Sequence, residues 1–139
     1  MRDAKQERLK STKLFAALDR KELEMVAEIT TELTVPAGTV LAREGHQGHD
    51  AFVIVDGTVD ITIGGTKVNS AGPGELVGEM ALLLREQRQA TVTAATPVDL
   101  LVIEPGHFDS LLDRVPSVSR QLVVSLAQRL RDTDQALKH

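Results

Sequence analysis

The residues best equipped for chemistry lie between Asn69 and Ala94. Gly72-Pro73-Gly74 and Gly78 precede a short apolar run from Met80 to Leu84, and Arg88 stands just ahead of a β-prone segment. This pattern suits an anion. Gly78, lacking a Cβ, lets the backbone approach a ligand closely. If Glu79 to Leu84 makes a helical turn, its first N–H groups lack intrahelical partners and point at that ligand. Arg88 supplies a planar, two-pronged, charge-assisted donor suited to phosphate. A carboxylate at Glu79 opposes a phosphate, but it fits a sugar hydroxyl that donates to it, with a nearby arginine balancing its charge. A bare Glu79–Arg88 surface ion pair is the plainer alternative. Such pairs contribute only about 0–1 kcal/mol and give no reason for the glycine-rich setting.

Other chemistries have weaker footing. His46 and His49 flank a polar loop, and imidazoles suit Zn, Fe or Ni, so a small metal-dependent barrel enzyme of the cupin type is the main rival. The paired His-x-His and downstream Glu of such a site are missing, which favours a polar loop and no metal. His107 reads as a surface residue at a helix start. No Ser–His–Asp arrangement stands out. The 139 residues contain no cysteine, which excludes disulfides, thiolate metal sites and cysteine nucleophiles. A net charge of −4 offers nucleic acid no attractive field. Phe15, Phe52 and Phe108 are the whole aromatic content, too few to stack single strands. No stretch approaches the ~18 apolar residues of a membrane span, and the first residues have no apolar signal core. A cytoplasmic protein without a membrane span is expected.

The elements that must position these residues follow from periodicity. One domain of 139 residues is expected. Residues 1–30 read as helical, with Asp19 and Glu22 at capping-box spacing ahead of Leu23, Val26, Ala27 and Ile29. Phe15 and Leu18 are placed to staple this helix to the body. Residues 31–104 read as short strands: Leu33–Val35, from Val40, Ala51–Val55, Thr58–Ile63, Thr66–Val68, Ala90–Ala94 and Val98–Ile103. Asp56-Gly57 is a hairpin signal and Gly64-Gly65 a second tight turn. Residues 107–139 return to helix, with Pro116 breaking one and opening the next. Val118, Leu122, Leu126, Leu130 and Leu137 then share a face, with Val123 and Ala127 beside it. That face packs on the β core or forms a dimer seam. The plan is α+β with segregated elements.

Gly78-Glu79-Met80-Ala81-Leu82, followed by Arg88-Gln89-Ala90-Thr91-Val92, resembles the phosphate-binding cassette of cyclic-nucleotide-binding domains, here spanning 74–91. Such domains occur in regulatory subunits of cAMP-dependent protein kinase and in the catabolite activator group. The resemblance extends to Gly45 through Ile54, to Asp56-Gly57, and to Phe108, Pro116 and the long last helix. It implies a jelly-roll β-barrel, the β-roll, between an N-terminal helical segment and two C-terminal helices. It implies a non-catalytic regulatory sensor. Glu79 would hold the ribose 2′-hydroxyl and Arg88 the cyclic phosphate. Backbone N–H groups near Met80, Ala81 and Ala90 would complete the cradle. Thr133 would touch the adenine amino group. Gln89 stands where the family usually has a small or hydroxyl residue, and the lack of Thr or Ser there leans toward cAMP over cGMP. The last helix has no aromatic residue to cap the base, which leaves Leu130 or Leu137. Expected partners are the cyclic nucleotide, and a second copy through the last helix or an effector domain or protein. An interaction module that keeps the fold but binds no nucleotide is the remaining alternative.

Overall fold

The computed structural model describes residues 4–12, 14–48, 50–78, 83–84 and 86–137, without the side chains of residues 4, 129 and 133–137. Two helices, α1 (Ala4–Lys10) and α2 (Arg20–Ile29), come first. Eight strands follow: β1 (Thr30–Val35), β2 (Val40–Ala42), β3 (Ala51–Asp56), β4 (Val59–Ile63), β5 (Thr66–Ala71), β6 (Leu76–Val77), β7 (Thr91–Ala94) and β8 (Val98–Ile103). Helices α3 (Pro105–Arg114) and α4 (Pro116–Leu137) close the chain.

The strands form two antiparallel sheets, ordered β1-β8-β3-β6 and β2-β7-β4-β5. These orders are two halves of one object. Each segment β1–β2, β7–β8, β3–β4 and β5–β6 contributes one strand to each sheet, so four long ribbons lie side by side and are folded across a common crease. Backbone bonds continue through that crease: Gly38 donates to Ala94 at 2.7 Å, Ala95 to Thr58 at 2.9 Å and Gly74 to Ile54 at 2.8 Å. The result is the β-roll.

Asp56-Gly57 is therefore not a hairpin, contrary to the local signal. Its flanking strands pair with β8 and β6 on one side and with β5 and β7 on the other. Gly57 carries the chain over the crease at φ 90°, against the carbonyl of Pro97. Gly64-Gly65 is the real two-residue hairpin. Ile63 pairs with Thr66, and both glycines have positive φ (58° and 81°), as a type I′ turn demands.

Why Ala51–Val55 is apolar without alternation also becomes clear. Phe52 and Ile54 face the roll interior with Val59, Val92, Val98 and Leu100. Ala51 and Val53 face the helices, packing with Phe15, Leu18, Leu23, Phe108, Leu111 and Leu122. A strand covered on both faces needs no polar side.

The helical caps behave as local chemistry dictates. Asp19 accepts from the Glu22 N–H at 2.8 Å and its own N–H donates to Glu22 Oε1 at 3.0 Å, a complete capping box. The expected helical stretch to residue 30 is interrupted after Lys10, and β1 begins at Thr30, not Leu33. Lys5 Nζ donates to the carbonyls of Ala27 and Thr30, satisfying the end of α2 just where the strand starts. Val118 and Leu122 of α4 are buried and Leu126 packs against them, but Leu130 is 72% exposed. The leucine face outruns the body. Twenty-two residues at roughly 1.5 Å each make α4 about 33 Å long, more than the core beneath it can cover. Among the described residues no helix is long and apolar enough to cross a membrane.

Candidate functional site

Arg88 is the structural centre of the candidate site. It lies between the Leu83-Leu84 segment and β7, and its backbone is latched to the 43–50 loop. Gly45 N–H donates to Arg88 O at 2.8 Å, and Arg88 N–H donates to His46 O at 3.0 Å. The side chain runs inward and is only 7% exposed. Nη2 donates to the Asp50 carbonyl at 2.8 Å and Nη1 to the Gly78 carbonyl at 3.3 Å. The guanidinium carbon lies 5.7 Å from the Phe52 ring centroid, within cation–π range.

These partners hold a cation without cancelling it. Among the described residues Arg88 forms no ion pair. Burial draws its pKa below the ordinary arginine value, and the charge of nearby Asp50 pulls it back up in part. The sign matters. A base whose pKa falls on folding is a charge that burial makes costly, and a neighbouring anion offsets that cost.

Beside Arg88 opens a cleft of about 220 Å³ at one end of the roll. Gly78, Arg88, Gln89 and Ala90 all line it, so four of the residues singled out by the cassette meet at one cavity. Its other walls are Ala42, Ile61, Ile63, Ala71, Val77 and Val92, with Asn69, Ser70 and Glu75 as further polar groups. One wall is thus greasy and the opposite corner cationic, as a molecule with an apolar ring and an anionic group requires. Gln89 is exposed, and its Nε2 donates to Glu86 Oε2 at 3.3 Å. Glu79, Met80 and Ala81 lie outside the described residues. Thr133 is in α4 with its side chain outside them, and no described residue of α4 lines the cleft.

Gly78 has the role its residue type suggested, for a stricter reason. At φ 85°, a Cβ there would stand 2.8 Å from Arg88 Nη1 and 3.0 Å from the Asp50 carbonyl. Gly78→Ala therefore displaces the guanidinium as well as straining the backbone. We expect affinity for the anionic ligand to fall about tenfold or more while the chain stays folded, measured by calorimetric titration beside a thermal melt.

Nothing in the sequence singles out Asp50, Asn69 or Glu75 as site residues. Asp50 lay in view within the Gly45–Asp50 loop, but its carbonyl, not its carboxylate, holds Arg88, and a backbone partner leaves no trace in residue type. Asn69 sits on the edge strand, and only its pairing across β4 turns it toward the cleft. His46 is exposed, His49 lies outside the described residues, and no group of three metal-ligating side chains occurs among those described.

Known proteins resemble this chain in sequence and in fold. The model of the cyclic nucleotide-binding domain matches residues 32–115. The cyclic AMP receptor protein of Thermus thermophilus is 31% identical over 134 residues, 93% of this chain and 62% of that protein. The crystal structure of Thermus thermophilus catabolite activator protein superposes with a TM-score of 0.81 at 30% identity, over 91% of this chain and 62% of that one. The regulatory domain of Toxoplasma gondii PKA, solved with cAMP, gives 0.68 at 31% identity, over 80% and 46%. The chain thus spans under two thirds of these relatives' own length. With the β-roll and the family match in agreement, this chain belongs to the cyclic nucleotide-binding domain family.

Proposed function

We propose that this chain is a non-catalytic sensor that binds cAMP and passes the event to its last helix. One observation carries the reading: a nine-tenths-buried arginine whose neighbours are carbonyl oxygens, at the corner of an otherwise apolar cleft. The cyclic phosphate takes Arg88, with the amides of Met80, Ala81 and Ala90 around it. Gly78 gives the approach and Glu79 accepts from the ribose 2′-hydroxyl. The base lies along Ile61, Ile63 and Val92. Adenine is favoured because Gln89 replaces the hydroxyl residue that goes with cGMP in the family, and because two relatives are a cyclic AMP receptor protein and a domain crystallised with cAMP.

The output runs through α4. Among the described side chains its last packed leucine is Leu126, and Thr133 lies seven residues further, about 10 Å along the axis. Bringing Thr133 to the adenine amino group, with Leu130 or Leu137 over the ring, requires α4 to move toward the cleft. A crevice of about 260 Å³ between α4, at Gln121, Ser125 and Gln128, and Gly74 to Leu76 gives room for that movement. Glu75 lines both this crevice and the cleft. Ligand then shifts a pre-existing equilibrium of helix positions. A second copy, an effector domain or a cytoplasmic partner protein reads the shift.

Calorimetric titration with cAMP tests the core of this reading. Saturable heat at one site per chain is the expected result. A folded chain that takes up no heat at millimolar cAMP overturns it and leaves an interaction module on the same fold.

A further inference from the structure

Of the polar residues in the cleft that the cassette leaves without a role, Asn69 belongs to an otherwise apolar row. Ala42, Val92, Ile61 and Asn69 form a single row across β2, β7, β4 and β5, each the pairing partner of the next. All four line the cleft. Side chains directly opposite in antiparallel strands share a face. Three members of the row are apolar, and the fourth, at the open edge of the sheet, carries a carboxamide.

One contact orients that carboxamide. Its Oδ1 accepts from the Ser70 N–H at 2.8 Å, which decides which end of the amide is oxygen. The oxygen keeps a second lone pair, and Nδ2 keeps two N–H donors. An oxygen and an N–H side by side complement the 6-amino group and N7 of adenine. Guanine places a carbonyl oxygen where adenine has the amine, so the same amide then sets acceptor against acceptor.

We propose that Asn69 reads the base: it accepts from the 6-amino group and donates to N7, selecting a 6-aminopurine over a 6-oxopurine. The proposal rests on the cyclic-nucleotide reading above and adds a specificity residue to it. Gln89 is a poorer candidate for this task, since it lies outside that row and one of its two N–H donors is engaged by Glu86.

The test is calorimetric titration of the whole chain with cAMP, cGMP and 7-deaza-cAMP, in which a carbon replaces N7. Wild type is expected to bind cAMP about tenfold more tightly than either analogue, since a good bidentate base contact is worth ~1–3 kcal/mol. Asn69→Leu keeps the size and removes the amide. It should weaken cAMP about tenfold, leave cGMP within about threefold, and treat cAMP and 7-deaza-cAMP alike. An Asn69→Leu chain that keeps the wild-type cAMP-to-cGMP ratio overturns the proposal. So does a wild type that binds 7-deaza-cAMP as well as cAMP or prefers cGMP, and neither of these needs a variant to fold. A wild type with no heat from any of the three fails at the earlier step, and both readings go with it.

Discussion

Replacing Arg88 with alanine should abolish cyclic-nucleotide binding and leave the β-roll standing. The affinity side follows from burial. Truncating one partner of a desolvated, hydrogen-bonded charge pair costs about 2–5 kcal/mol, a loss of roughly thirty- to several-thousandfold. The stability side is less obvious and separates the ligand reading from a structural one. Alanine leaves the Gly78 and Asp50 carbonyls short of a donor, but it also removes a cation that burial makes costly. These effects oppose each other, so the midpoint of thermal unfolding without ligand should shift by only a few degrees. With cAMP present the wild-type midpoint rises by mass action and the variant's does not. Arg88→Lys keeps the charge but loses the planar fork that spans two carbonyls, and it should bind little better than alanine. If Arg88→Ala binds cAMP as tightly as wild type, the phosphate is not at Arg88.

The largest effect on stability should come from Gly57, far from any ligand. A Cβ there would meet the Pro97 carbonyl oxygen at 2.3 Å and the Val98 Cα at 3.0 Å, and φ is already 90°. Both obstacles are backbone in the crease, so no side chain can turn aside. Gly57→Ala should therefore cost about 3 kcal/mol or more, a large part of the ~5–15 kcal/mol that holds a domain of this size. A fall of about 10 °C in the unfolding midpoint is expected. Gly38 is the control. It has the same φ of 90°, but nothing lies within 4 Å of its would-be Cβ. Gly38→Ala should show backbone strain alone, about 1 kcal/mol. Equal losses at the two positions would mean that the crease is not where Gly57 acts.

These two glycines also show where sequence reading succeeds and where it stops. The Asp19–Glu22 capping box was legible because its partners are three residues apart. The Gly64-Gly65 hairpin was legible because its two strands do pair with each other. Asp56-Gly57 carries a hairpin signal too, yet its strands part company, because pairing is decided by β8 and β7, some forty residues away. Leu76–Val77 went unread as a strand since two residues have no period. Within the site, Gly78 and Arg88 announced themselves through residue type and setting. The cross-strand row that brings Asn69 to the cleft exists only once register is known. Leu130 misled for a similar reason: helical periodicity assigns a face, but how far the core extends beneath it is a tertiary fact.

The ribbon order sets a timetable for folding. β7–β8 lies between β1–β2 and β3–β4, and β1 has no other neighbour in its sheet. The strands made first therefore wait for the strands made last: Thr30 pairs with Ile103, and Val40 with Thr93. A chain emerging from the ribosome cannot close its interior until residue 103 is free of the exit tunnel. Until then the apolar run Ala51–Val55 lacks its neighbour β8, and its helix-facing side lacks Phe108, Leu111 and Leu122. Such long-range pairing folds slowly for its size and exposes sticky edges meanwhile. Truncation inside β8 should give an aggregating chain rather than a smaller folded one.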